Sequence, residues 1–344
     1  MLNVFIPLLN YIKETLHLSP SQRMAPPATG SSPLAKVLTE DLMRGKDVLG
    51  IASLSAQELH LIIDTAQQLY INKFDDTQTL FAKGQTLVML FEKPSLRTRV
   101  TFEAGMTQLG GHAIYMEGQL GLREPVSDVA KNLDRWVDCI MARTFEHKTV
   151  EILAANSKIP VINGLSDLEH PCQALADFQT ILQHKGKFKG LKLAFIGDGN
   201  NVANSLMLLA AKVGTDFALG CPAGYEPNAD ILNLAKQEAL KTGATITVTN
   251  DPIEAIKNAD VVYTDVWISM GEEAQTDKAL AFKNFQVDSK LMSYAKSDSI
   301  FMHCLPAHRG EEVEGLVIDG PQSVVYDQAE NRLHAQKAIM SLVM

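Results

Sequence analysis

The 344-residue chain is short of cysteine, of aromatic side chains and of positive charge, and each shortage narrows what it can be. Its four cysteines, Cys139, Cys172, Cys221 and Cys304, include no C-x-x-C pair. In a chain of this length they read as reduced thiols of a cytosolic protein, not as a disulfide framework or a zinc site. Lysine and arginine number 31 against 40 acidic residues, a formal net charge of −9. That balance argues against a nucleic-acid partner, whose phosphates call for a basic surface, and still allows a local basic pocket. No apolar run approaches the ~20 residues that cross a bilayer, so no membrane partner is expected. No repeat of the solenoid kind recurs. What remains is ordinary globular usage, 46% hydrophobic and 21% charged, which excludes disordered and collagen-like chains. At roughly 100–200 residues per domain, the length suits two domains.

The first 33 residues stand apart. Met1–Leu18 is fairly apolar but is interrupted by Lys13 and Glu14 and has no basic stretch ahead of it; Met24–Pro33 is small and Pro-rich. Residues 1–33 are therefore expected to form a loose extension, with translation starting at Met24 as one reading. A cleaved organelle address is the other, and its Arg and Ser enrichment is weak.

From about Ser53 the pattern alternates between helical and strand-like segments. Leu59–Leu69 has helical spacing. Thr86–Phe91 reads as a short continuous apolar strand, His112–Met116 as the next strand, with Asp138–Ala142 and Ile159–Ile162 continuing the series, and Pro171–His184 reads as a long helix. The basic, Gly-punctuated stretch Lys185–Gly190 then marks a boundary, after which the alternation restarts. Strands are expected at Leu191–Ile196, Phe217–Leu219, Thr245–Val248, Val261–Thr264, Ile300–His303 and Val324–Tyr326, with a last helix over Ala329–Val343. Strands buried on both faces and joined by helices imply parallel sheets. The expected fold is thus α/β: two tandem domains, each a parallel β-sheet flanked by helices, over 34–184 and 185–328. The final segment 329–344 is expected to return across the structure to the first domain.

The most informative stretch is Phe91-Glu-Lys-Pro-Ser-Leu-Arg-Thr-Arg-Val-Thr-Phe-Glu103, between a buried strand and a helix. A helix start there brings free backbone N–H groups and a positive dipole end to two hydroxyls and two guanidiniums. Ser95 and Thr98 can donate to phosphate oxygens, and Arg97 offers a planar fork. The same residues also read as an N-capped helix with surface arginines.

This stretch resembles the S-T-R-T-R carbamoyl-phosphate motif of the carbamoyltransferases, with Leu96 where the pattern usually has Thr. Leu96 still supplies a backbone N–H but no hydroxyl. Further motifs follow in the family's order. His170-Pro-Cys-Gln173 resembles its H-P-x-Q motif, with Pro171 in the first helical turn and His170 and Gln173 on one side of it. Arg143, at the end of a strand, matches a phosphate- or carbonyl-binding position. Gln119 matches a residue that family members lend across a subunit interface. Leu305 follows Cys304 in His303-Cys-Leu-Pro306, a motif that places thiol and carbonyl beside substrate. Arg332 matches an arginine on the family's closing helix that reaches back to carbamoyl phosphate.

The second domain decides the acceptor. Gly197-Asp-Gly-Asn-Asn-Val202 is similar to a dinucleotide fingerprint, but Val202 replaces its third glycine and the next strand ends in Leu219-Gly-Cys-Pro222, without the usual acidic residue. A nicotinamide-dependent oxidoreductase is the alternative this leaves open; amides at a helix start can instead hold an amino-acid carboxylate. Thr264-Asp-Val-Trp-Ile-Ser-Met-Gly271 resembles the D-x-x-x-S-M-G loop of the ornithine branch of the family. Asp265 suits an ammonium group, and Ser269 with Gly271 suits a movable lid edge.

The resemblance implies transfer of a carbamoyl group from carbamoyl phosphate to the δ-amine of ornithine, in an interdomain crevice, with putrescine or an acylated ornithine as rival acceptors. The amine must shed a proton that free amines hold to about 10.4. Cys304 and Asp265 are the candidate acceptors or relays. Arg97, Thr98, Arg143, His170 and Gln173 are expected around the carbonyl oxygen, and Asn201, Asp265, Ser269 and Met270 around ornithine's α-groups. No metal and no cofactor is expected, since guanidiniums can supply the compensating charge. The resemblance also implies a homotrimer. A chain beginning at Met24 is expected to keep the activity and melting temperature of the full chain; a clear loss of either, measured side by side, would show that the extension packs on the body or supports assembly.

Overall fold

A computed structural model describes residues 41–268 and 276–344. The expected extension 1–33 lies outside the described residues, as do Ser269, Met270 and Gly271. The described residues hold two parallel sheets. The first has the order β2-β1-β3-β4, from β1 Thr86–Phe91, β2 His112–Glu117, β3 Cys139–Arg143 and β4 Val161–Leu165. The second has the order β7-β6-β5-β8-β9, from β5 Lys192–Ile196, β6 Asp216–Gly220, β7 Ile246–Thr249, β8 Val261–Thr264 and β9 Ile300–His303.

The central strands are buried on both faces as expected, whereas the edge strand β2 has no buried residue and the edge strand β7 is half-buried. In β1 every residue from Leu87 to Phe91 is buried, as is every residue of β3 and β8, because helices cover both faces. β4 begins at Val161, not Ile159: Pro160 has no N–H to give and only accepts, from Ile140 N at 3.0 Å.

One expected strand is absent. Val324–Tyr326 opens a helix, Val325–Val343, that starts four residues before the expected Ala329. The β-branched pair mimics a strand, but a single bridge, Phe301 to Ser323, extends the sheet there. Burial of Val325, Gln328, Arg332 and Ala335 follows a helical spacing of three to four, while Tyr326 is exposed.

Two helices tie the sheets together. The Val325–Val343 helix packs on the helices Ala56–Ile71, Leu96–Gln108 and Pro171–Lys185 and also touches β9. The Asn201–Val213 helix follows β5, and all its residues from Val202 onward are buried, against Pro171–Lys185, Ala56–Ile71 and the turn Ile51–Ser53. That turn is clamped from both sides. Glu169 accepts from Ile51 N at 2.8 Å and Ala52 N at 3.2 Å, and also from Ser205 Oγ at 2.9 Å. Lys212 Nζ donates to the carbonyls of Ile51, Ala52 and Leu54 at 2.8, 2.9 and 2.6 Å. Burial pushes the Glu169 carboxyl up and the Lys212 amine down, each opposed by the other's charge. A Cβ on Gly50 would lie 2.2 Å from Glu169 Oε1, so a larger residue there would push the carboxylate out of the clamp.

Replacing Lys212 with Met keeps the stem and takes a donor from three carbonyls, of which Ile51 O alone keeps another, Leu54 N. It is expected to cost about 3 kcal/mol, the upper range for buried polar groups left unpaired. Scanning calorimetry would read this as a melting temperature lower by several degrees; an unchanged value would show that the clamp contributes no stability.

Candidate active site

Open parallel sheets bind ligands beyond the carboxyl ends of their strands, where the strand order reverses. In the first sheet that reversal lies between β1 and β3, and in the second between β5 and β8. One cleft of about 460 Å³ is lined from both places. Lys93 to Thr98 come from the end of β1, Arg143 from β3, Asn201 from beyond β5, Asp265 from beyond β8, and Cys304, Leu305 and Pro306 from beyond β9. His170, Gln173 and Arg332 complete it from helices.

The first wall is cationic. Ser95 caps the Leu96–Gln108 helix, its Oγ accepting from Thr98 N at 3.3 Å. Leu96 opens that helix with its side chain 76% exposed, so the position offers the site mainly its backbone. Arg143 and Arg332 are buried, and the Nε of each is without a hydrogen-bond partner. Burial, with Arg332 and Arg97 nearby, pushes Arg143 down to about 10. Arg332 Nη1 donates to Gln173 Oε1 at 2.5 Å and Nη2 to Thr98 Oγ1 at 3.3 Å. His170 precedes Pro171 at the start of its helix, and its backbone N–H is tied to Ser205 Oγ at 2.9 Å. Burial first, then the charges of Arg332, Arg143, Arg97 and Lys93, hold the imidazole well below its usual pKa, hence neutral. A neutral imidazole can donate to a carbonyl oxygen without adding a charge.

The opposite wall is acidic. Asp265 Oδ1 accepts from Cys304 Sγ at 3.0 Å and Val266 N at 2.8 Å, and Oδ2 accepts from Asn200 Nδ2 at 3.0 Å. Burial and the Asp265 charge hold the Cys304 thiol well above its ordinary pKa, so it is a donor. Asn201 lines the cleft while its Nδ2 donates to Ser166 O at 2.6 Å. Asp265, His303 and Cys304 together present three metal-ligand atoms within 4.8 Å of one another. Those atoms are already engaged: His303 Nδ1 accepts from Leu305 N at 2.8 Å, leaving Nε2 to donate to Glu312 at 3.2 Å.

The nucleotide alternative meets an occupied turn. A Cβ on Gly199 would lie 2.4 Å from Pro227 N, so close backbone packing explains this glycine. Asn200 Oδ1 takes the N–H groups of Val202 and Ala203 at 3.0 and 3.1 Å, filling the helix end where a pyrophosphate would sit.

Of the residues singled out from sequence, Ser95, Leu96, Arg97, Thr98, Arg143, His170, Gln173, Asn201, Asp265, Cys304, Leu305 and Arg332 all line this cleft. Gln119 does not. It is exposed beyond β2 and borders a separate depression with Leu120 and Trp136. Ser269 and Met270 lie outside the described residues. Sequence reasoning missed Lys93, two residues before Ser95 in the quoted motif, and Asn200, the partner of Asp265.

A family model described as the aspartate/ornithine carbamoyltransferase carbamoyl-P binding domain matches residues 46–183, and the Asp/Orn binding domain of the same family matches 189–343. The ornithine carbamoyltransferase of Thermococcus kodakarensis is 52% identical over 307 residues, 88% of this chain and 97% of the relative. That of Anoxybacillus flavithermus is 54% identical over 302 residues, 87% and 96% of the two chains. The solved ornithine carbamoyltransferase from Pyrococcus furiosus superposes with a TM-score of 0.86 at 50% identity, covering 88% of this chain and 98% of that one. No described helix is long and apolar enough to cross a membrane. With both domain models matched in order and relatives similar over nearly their whole length, the chain belongs to the aspartate/ornithine carbamoyltransferase family.

Proposed function

We propose that the protein is an ornithine carbamoyltransferase, forming citrulline and phosphate from carbamoyl phosphate and L-ornithine. One observation carries this: a single cleft sets buried guanidiniums against a carboxylate, so it suits an anion on one side and an ammonium on the other. Residues 34–184 are taken as the carbamoyl-phosphate domain, 185–328 as the ornithine domain, and 329–344 as the segment returning to the first. The work is assigned to the cytoplasm and to a homotrimer in which Gln119 serves a neighbouring site, as its place outside the cleft suits.

Ser95, the Leu96 N–H, Arg97, Thr98 and Arg332 hold the phosphate. Arg143 and His170 donate to the carbonyl oxygen as the δ-nitrogen attacks and negative charge develops there. Gln173 faces the carbamoyl group, and Cys304 and the Leu305 carbonyl border it. The C–N bond forms, the C–O bond to phosphate breaks, and phosphate leaves onto the guanidiniums. Asn201, Asp265, Ser269 and Met270 hold ornithine. The thiol of Cys304 is protonated and donates to Asp265, so it can relay a proton only by passing its own to that carboxylate. Asp265 is the terminal acceptor.

Incubating the full chain with carbamoyl phosphate and, separately, ornithine, putrescine, N-acetylornithine or aspartate tests the assignment. Ureido product is expected chiefly with ornithine; preference for any other acceptor would overturn it. Because Leu96 acts through its backbone, Leu96→Thr is expected to leave carbamoyl-phosphate affinity nearly unchanged in calorimetric titration. A large change either way would give that side chain a role.

A further inference from the structure

Beneath the cleft lies a carboxylate that the reaction scheme leaves unused. Asp177 is fully buried on the Pro171–Lys185 helix, one turn after Gln173. Three donors converge on it. Gln173 Nε2 reaches Oδ1 at 2.8 Å, Gln328 Nε2 reaches Oδ1 at 2.7 Å, and Tyr263 Oη reaches Oδ2 at 3.1 Å. Burial outweighs these bonds and pushes the carboxyl up to about 7.

An amide side chain has one accepting end and one donating end. Gln173 must turn its oxygen to Arg332, which can only donate. Its NH₂ must then find an acceptor at the other end, and Asp177 Oδ1 is that acceptor. Were the amide reversed, two donors would face each other at Arg332. Asp177 also reaches the second wall: Gln328, held by the same oxygen, accepts from His303 N at 2.9 Å, next to Cys304.

We propose that Asp177 is a positioning residue for carbamoyl phosphate, acting through an oxygen acceptor that fixes the Gln173 amide and so the Arg332 guanidinium. The inference rests on the function proposed above. It is tested with Asp177→Leu, Asp177→Asn, Gln173→Leu and the Gln173→Leu/Asp177→Leu double variant, by calorimetric affinity for carbamoyl phosphate and by KM and kcat in citrulline formation.

Asp177→Leu is expected to weaken carbamoyl-phosphate affinity about tenfold or more, as for a buried donor left unpaired. Asp177→Asn keeps one oxygen for both glutamine amides, and the Tyr263 hydroxyl can turn to accept from the new NH₂. It is expected to stay within about threefold of wild type, since each donor keeps a partner. Once Gln173 is Leu, adding Asp177→Leu is expected to cost no more than about twofold, because the two act through one contact. Asn losing as much as Leu would overturn the proposal in favour of a counter-charge role, and full additivity in the double variant would overturn it in favour of a general structural one. If Asp177→Leu does not fold, the comparison of Gln173→Leu with the double variant decides, and a double variant that does not fold counts as additive loss. A wild-type chain that makes no citrulline would sink the proposed function; an active wild type with an unaffected Asp177→Leu would sink only the positioning role.

Discussion

Arginines crowded into one wall of a cleft are the constraint around which this protein is arranged. Arg143 and Arg332 are buried with Arg97 close by, and each lowers the proton affinity of a neighbour. Such charges are normally paired when buried. Here the partial answers are neutral: Gln173 and Thr98 oxygens for Arg332, and unpartnered Nε groups on Arg143 and Arg332. The unbalanced charge makes an anion the natural occupant, and it adds to the burial that keeps His170 neutral. Burial and the same charges together set the state of the imidazole beside the phosphate site.

Holding that charge together requires the fold to deliver side chains from distant places. The two reversals of strand order both open onto the cleft, so loops from both sheets meet there. The Val325–Val343 helix crosses back to set Arg332 against Thr98 and Gln173, closing contacts 234 and 159 residues long in sequence. The clamp of Glu169 and Lys212 on the Ile51–Ser53 turn fixes the neighbouring joint, and Ser205 connects it directly to His170. Rigidity near the site therefore comes from buried polar contacts as much as from apolar packing.

This division explains what can be read from the chain alone. The strands are legible because burial on both faces leaves runs such as Leu87–Phe91, and the motifs at Ser95, His170, Asp265 and Cys304 are legible because each follows a strand or starts a helix. Val324–Tyr326 reads wrongly as a strand because β-branching is a local signal and helix packing is not. Asp177, Asn200 and the Glu169–Lys212 clamp carry no signal: a buried Asp or Lys has the same letter as an exposed one, and partners such as Asp265 for Asn200, 65 residues on, or Ile51 for Lys212, 161 residues back, leave no periodicity. Lys93 is visible in the quoted motif but has no spacing to distinguish it from a solvated lysine.

The last step concerns the end of β9. Leu305 has φ +59, a left-handed conformation that costs a non-glycine residue about 1–3 kcal/mol and persists only where its surroundings enforce it. The enforcement comes from the residues around it. Leu305 N donates to His303 Nδ1, His303 Nε2 donates to the buried Glu312, and Glu312 also accepts from His308 N at 2.5 Å. Burial alone would raise the Glu312 carboxyl, yet these bonds bring it below its usual value. The imidazole is thus fixed in one tautomer by a backbone N–H on one side and a carboxylate on the other. Cys304 and Leu305 both line the cleft, the thiol 3.0 Å from Asp265, and the left-handed turn at Leu305 redirects the chain after them. The turn that follows Cys304 is thereby anchored, through Leu305 N and the His303 imidazole, to the buried Glu312 carboxylate.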